Sequence, residues 1–197
     1  MIDNRVMMTC DLDNATPIQV IHAVEIFKGM GIPVTYFSTG DYVVMNEVAE
    51  MYPRRVCPHP YMSGVGQKSQ EFDDRLNKAR FNYPEAMGYR CHGHTDSAWI
   101  QMAMVKRGFE WESNMCCHLE EDLAETMLFS GLRRFPVWLE DDVWMEKKTP
   151  FKEIAEKLEK TGLKVMNFHP VHICENEKVQ ALLYWITGRI DTWTALE

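Results

Sequence analysis

The chain has 197 residues, a net charge of −8 and 46% hydrophobic residues, which suits one soluble domain over 1–197 with a sizeable core. The acidic balance argues against nucleic acid as a partner, because phosphate backbones are held by basic patches. No apolar run approaches the roughly 20 residues that cross a bilayer, and Asp3, Asn4 and Arg5 interrupt any apolar leader.

The first element is the run Val6, Met7, Met8, Thr9, Cys10, which ends in Asp11 and, one residue further, Asp13. A short apolar run of this kind reads as a buried strand. Such strands belong to parallel sheets covered on both faces, and ligands bind at their carboxyl ends. Thr16 and Pro17 then supply an N-cap and a proline at the first helical position. Ile18, Ile21 and Val24 follow at helical spacing, and Gly29 and Gly31 end that helix. Residues 33–37 read as a second strand and 42–51 as a second helix. Residues 55–58 form a short strand entering His59 and Pro60, and a helix over 70–80 turns Phe72, Leu76 and Ala79 inward. Residues 89–91 enter His92, Gly93 and His94. Asp96 or Ser97 caps a helix carrying Trp99, Met102 and Val105, and 109–114 make the next strand. The acidic stretch 115–130 reads as a loop or short helix. A strand over 134–139 ends in Glu140, Asp141 and Asp142, a helix follows Pro150, and 165–168 form a strand running into His169 and Pro170. A last helix carries Val179, Leu182, Leu183 and Ile186.

Strand and helix alternate at least five times, which argues for α/β architecture with parallel strands. Both a barrel and an open sheet fit that alternation. The strand ends carry Asp11 and Asp13, His59, Arg90 and His92, Asp141 and Asp142, and His169. Polar groups from so many separate strands converge most readily at the top of a (β/α) barrel. Asp and His there make a divalent metal site with open positions, and a carboxylate or imidazole outside the ligand set can then move protons. The six cysteines are scattered without zinc-ligand spacing, so reduced thiols and a cytoplasmic location are expected.

Five motifs together carry a resemblance. Thr9-Cys10-Asp11-Leu12-Asp13, Cys57-Pro58-His59-Pro60, Tyr89-Arg90-Cys91-His92-Gly93-His94, Trp138-Leu139-Glu140-Asp141-Asp142 and Asn167-Phe168-His169-Pro170-Val171-His172 resemble, in order and spacing, the motifs of the polysaccharide deacetylase (NodB-homology, carbohydrate esterase family four) superfamily. The fit is nearest to its WbmS-like branch, associated with bacterial surface-polysaccharide loci. The resemblance implies a distorted (β/α) barrel of about seven parallel strands, a divalent metal (most simply zinc) and hydrolysis of an amide on a carbohydrate or sugar-nucleotide substrate. It implies Asp11 as general base, Arg90 as its positioner and His169 as general acid. Asp13 and His59 become metal ligands, and His94, Trp138 and Asp141 become candidates for substrate contact. One departure stands out: the usual second motif has a second His four residues on, where this chain has Ser63. His92 or His94 is expected to replace it, with His92 as the third ligand. The same first motif also resembles that of haloacid-dehalogenase-type phosphatases, with Asp11 as nucleophile, but that reading leaves His59, His92 and His169 without a role. A third reading is an inactive sugar-binding or scaffold protein on the deacetylase fold.

Overall fold

A computed structural model describes residues 3–40, 42–67 and 69–196. Its first sheet contains β1 (Val6–Asp11), β2 (Val34–Ser38), β3 (Val56–Pro58), β8 (Val137–Glu140) and β9 (Lys164–Phe168), all parallel, in the order β3-β2-β1-β9-β8. The second contains β4 (Gly88–Tyr89), β5 (Trp111–Glu112), β6 (Thr126–Met127) and β7 (Arg133–Arg134) in the order β4-β5-β7-β6, with β6 antiparallel to β7. Backbone hydrogen bonds join the two sheets at both edges. Arg90 N–H donates to Pro58 O (3.2 Å) and His92 N–H to Pro60 O (3.1 Å), linking β3 to the chain leaving β4. Val137 N–H donates to Met115 O (2.7 Å) and Cys117 N–H to Val137 O (2.8 Å), linking β8 to the chain leaving β5. The result is the α/β architecture of a distorted barrel whose parallel staves are β1, β2, β3, β4, β5, β8 and β9.

Helices α1 (Pro17–Met30), α2 (Val43–Met51), α3 (Gln70–Asn82), α4 (Ala98–Val105), α5 (Asp141–Lys147), α6 (Phe151–Leu158), α7 (Pro170–Glu175) and α8 (Glu177–Thr187) follow the strands. Helix α1 starts where its sequence says it should. Thr16 and Gln19 form a reciprocal capping box, Pro17 takes the first position, and Gly31 closes the helix at φ 67°. Its buried stripe is Val20, Ala23 and Phe27, however, while Ile18 and Ile21 are exposed. Apolar residues surround this helix, so spacing alone could not choose the stripe. Helix α4 shows the same effect: it buries Ile100, Gln101 and Met104 and exposes Trp99, Met102 and Val105. The strand expected over 134–139 is two strands, split at Phe135 and Pro136 because proline carries no N–H for the ladder.

Alternate residues of a strand share one face, and this period sets what the barrel encloses. Phe37, Trp111 and Phe135 pack edge to face at 6.1 and 5.9 Å. A Cβ on Gly88 would lie 2.0 Å from the Trp111 ring, so the approach of β4 to β5 requires glycine there. Above this apolar layer the same strand faces carry Thr9, Asn167, Arg90 and Ser113, all 0% exposed. Register then brings the strand ends level. Cys10 pairs with Phe168, Ser38 with Pro58 and Glu140 with Asn167, so Asp11, His169, His59 and Asp141 emerge side by side. No helix among the described residues is long and apolar enough to cross a membrane.

Candidate active site

Arg90 is the centre of the polar layer. It is fully buried, which demands that every donor be matched. Its Nη1 donates to Asp11 Oδ1 (2.7 Å) and Thr9 Oγ1 (3.1 Å), its Nε to Ser113 O (2.9 Å) and its Nη2 to Ser113 Oγ (2.8 Å). The guanidinium also lies 4.2 Å over the Phe37 ring. Burial by itself would push the Asp11 carboxyl up, but the Arg90 charge, with His59 and His169, outweighs it and holds the group well below the usual carboxylate range. Asp11 is thus ionised, with Oδ1 taken by Arg90 and Oδ2 3.7 Å from His59 Nε2.

A second group of atoms lies beside it. Asp13 Oδ1 sits 3.4 Å from His59 Nε2, and Asp13 Oδ2 sits 3.3 Å from His92 Nδ1. His59 Nδ1–H donates to Arg90 O at 2.9 Å, which fixes the ring and turns Nε2 toward Asp13. Asn14, at φ 58°, donates to Asp13 Oδ2 at 2.9 Å. The Tyr61 ring stacks on His92 at 3.8 Å. Asp13 Oδ1 and His92 Nδ1 are both buried without a hydrogen-bond partner, an arrangement that costs free energy unless something else pairs with them. One ligand atom from each of Asp13, His59 and His92 lies within 4.8 Å of the others. Burial also pulls the His92 pKa down, more than Asp13 pushes it up, so the imidazole is neutral. Two imidazoles, one carboxylate and two orphaned buried atoms fit a divalent cation. Ser63 is exposed in a turn.

The third part of the site is His169. Its backbone N–H and Nδ1–H both donate to Asp141, at 2.8 and 2.6 Å, and its Nε2 lies 3.6 Å from Asp13 Oδ1. Burial works against a charged imidazole. The Asp141 charge and hydrogen bond, together with Asp11 and Asp13, overcome that and hold the His169 pKa well above the ordinary value. Asp141 itself is held down at about 2, against burial, chiefly by the His169 charge. His172 adds a contact to Asp141 Oδ2 at 3.2 Å and to Asp142 Oδ1 at 3.4 Å.

A family model for WbmS-like polysaccharide deacetylases matches residues 8–182. The chain belongs to that family. No curated protein matches the chain in sequence. Among solved structures, WbmS of Bordetella bronchiseptica, assigned as a polysaccharide deacetylase involved in O-antigen biosynthesis, superposes with TM-score 0.76 at 18% identity, covering 94% of this chain and 81% of that one. A family 4 carbohydrate esterase from Streptomyces lividans, solved with acetate, gives TM-score 0.52 at 15% identity over 86% and 81% of the two chains. The wild-type BA3943 protein of Bacillus anthracis, a family 4 pseudoenzyme, gives 0.58 at 13% identity over 98% and 63%. At these identities the likeness shows the fold: this WbmS-like chain shares the deacetylase α/β architecture. Family membership also sets aside the phosphatase reading.

Trp138 is not a substrate-contacting residue: it is 2% exposed, lies inside β8 and packs in the layer between strands and helices beneath Lys164. Asp141 does not face a substrate either, since it is 0% exposed and both its oxygens serve His169 and His172. It opens α5. His94 is turned aside by left-handed residues Gly93 (φ 60°) and His94 (φ 52°) and binds Glu140 Oε2 at 2.9 Å, which keeps it on the wall of the site. Tyr61 and Ser113 lie outside the five motifs, and Thr9 and Glu140 lie inside them with no role implied. Thr9 and Ser113 touch Arg90, Glu140 touches His94 and Tyr61 touches His92; Ser113 alone of the four left no positional signal beside a motif.

Proposed function

We propose that the chain is a metal-dependent hydrolase that removes an acetyl or similar acyl group from the amide nitrogen of a sugar or polysaccharide precursor. The observation that supports this reading is the convergence, in one small volume, of an ionised base, a three-residue ligand set with two orphaned atoms, and a protonated imidazole. Asp11 Oδ2, the oxygen not taken by Arg90, accepts the proton of the attacking water. Arg90 keeps that carboxylate ionised and fixes its direction. His169 Nε2 gives its proton to the departing amine, and Asp141 holds the ring in the orientation and charge state that this needs. Asp13, His59 and His92 would hold the divalent ion. That ion supplies a Lewis acid for the amide carbonyl and the water; zinc suits two imidazoles and a carboxylate, and iron, cobalt, nickel and manganese share the donor preference in part. The O-antigen assignment of the Bordetella protein favours a bacterial surface-polysaccharide substrate, free or nucleotide-linked. The six free cysteines favour a reducing, cytoplasmic setting. The Bacillus anthracis pseudoenzyme makes an inactive binding protein the competing reading, and the paired Asp11–Arg90 and His169–Asp141 units speak against it.

The test is elemental analysis of purified protein, followed by acetate-release assays on N-acetylated sugars, sugar nucleotides and oligosaccharides. Metal-dependent acetate release is the expected result. A metal-loaded protein that releases acetate from none of these classes would overturn the reading.

Two variants probe the roles more finely. His92→Ala should lose metal affinity by more than the ~10–100-fold typical of changes behind the ligands, while Ser63→Ala keeps it, measured as metal bound per chain. Equal affinities would remove His92 from the ligand set. Asp141→Asn removes the charge that raises the His169 pKa and leaves burial, which lowers it. A general acid works while protonated, so activity is lost as pH rises through that pKa. The alkaline limb of kcat/KM should therefore move to lower pH in Asp141→Asn, and an unmoved limb would sever the link between the pair and the reaction.

A further inference from the structure

Beside the metal-ligand group lies a cleft of about 330 Å³ that none of the roles above employs. Its walls are the ends of β2 and β3 (Ser38, Thr39, Pro58), the His59-Pro60-Tyr61 turn, and one stripe of α3 made by Arg75, Lys78 and Asn82. These three positions share a helix face by their i, i+3, i+7 spacing, next to the stripe of Phe72, Leu76 and Ala79 that α3 buries. The cleft therefore adjoins the centre: His59 belongs to both, and Tyr61 lines the one while stacking on His92 of the other.

The charge of this cleft runs against that of the molecule. The chain carries −8 overall, yet the described lining contains two cations and no carboxylate. Arg75 is already engaged, donating to Tyr61 O and pairing with Glu71 at 2.5 Å, so it shapes the wall. Lys78 makes no ion pair with any described residue. Tyr61, Pro60 and Pro58 supply apolar faces beside it, as sugar C–H surfaces need. A volume near the lower end of small-molecule sites fits one monosaccharide-sized unit.

Resting on the hydrolase reading, we propose that this cleft is a subsite for an anionic group, a carboxylate or a phosphate, borne on or next to the sugar whose amide is cleaved. Lys78 is the residue that reads the charge, and the preferred substrates are acidic or phosphorylated acetamido sugars.

The experiment has two independent arms. In the first, nuclear magnetic resonance titration of the purified protein uses hexose 1-phosphate, hexuronate and neutral hexose as probes, which requires no turnover. Lys78→Glu should weaken binding of the anionic probes by about tenfold or more, the scale of a charge-assisted contact, and added salt should weaken binding to the unaltered protein. The phosphate and carboxylate probes, compared directly, distinguish the two sources of charge. In the second arm, acetate release is compared for neutral, uronate and 1-phosphate forms of N-acetylhexosamine. The unaltered protein should favour an anionic form through KM, and the preference should collapse in Lys78→Ala. Lys78-dependent binding without acetate release from any sugar would sustain the subsite and count against the hydrolase reading alone. Equal binding of neutral and anionic probes, or anionic binding unchanged in Lys78→Glu, would overturn the subsite whatever the turnover.

Discussion

Asp11→Asn is expected to retain its metal and to lose turnover by about 10²–10⁴-fold, the usual worth of general base catalysis, whereas Asp13→Ala should lose metal and turnover together. The two carboxylates stand one residue apart but face different partners. Asp11 Oδ1 lies 2.7 Å from Arg90. An Asn side chain can keep that bond through its carbonyl oxygen, which turns its NH₂ toward the position of Oδ2. That group donates and cannot take a proton, so the shape of the site survives and the base does not. Asp13, in contrast, is the carboxylate common to His59 and His92 at 3.4 and 3.3 Å, and its Oδ1 is buried without a partner. Removing it leaves two imidazoles, too few for a stable catalytic ion. Metal content and acetate release, measured on the same preparations, separate these outcomes. Loss of metal in Asp11→Asn would reverse the assignment of the two residues.

The parallel architecture was legible because its signals are local. A buried strand is a short apolar run, and the loop after it must be polar, so Asp11, His59 and His169 could each be placed at a strand end from neighbouring residues alone. Register then did the remaining work without leaving any trace in one strand's sequence. Nothing in residues 164–168 says that Phe168 lies opposite Cys10, yet that pairing sets His169 beside Asp13. The same holds for Trp138. Motif reading placed it with Glu140 and Asp141, but a residue two positions before a strand end points into the layer above or below according to the pleat, and a bulge between Val137 and Leu139 upsets the count. Helix faces failed for a related reason. In α1 and α4 apolar residues occupy more than one stripe, and which stripe is buried depends on where the helix lands on the sheet. Ordering His169 through Asp141 is equally a matter of tertiary contact: the sequence presents Asp141 as one of three consecutive acidic residues, and only the approach of β8 to β9 singles it out.

Arg90→Met should cost about 3–5 kcal/mol of stability, the range for breaking a buried ion pair by removing one partner, and should abolish activity in whatever fraction remains folded. Methionine fills part of the volume over Phe37 but replaces none of the bonds to Asp11, Thr9 and Ser113. Asp11 would then remain 2% exposed without the largest charge that favours its ionised form. Burial, now opposed only by the imidazoles, would raise its pKa. The sign of the pH effect follows. In the unaltered protein the depressed Asp11 pKa contributes stability that is present above the unfolded carboxylate value of about 3.9 and is lost only as pH falls through the lower folded value. In Arg90→Met that contribution is gone, so the deficit is greatest at neutral pH and shrinks as acid protonates Asp11 in both states. Urea unfolding followed at pH 7 and stepwise down to about pH 2, below the unfolded carboxylate value of about 3.9, measures both quantities. A deficit that is independent of pH would mean that the lost packing of Arg90, and not its charge on Asp11, sets the cost. A variant as stable as the parent would show that the polar layer beneath the site does not hold the barrel together.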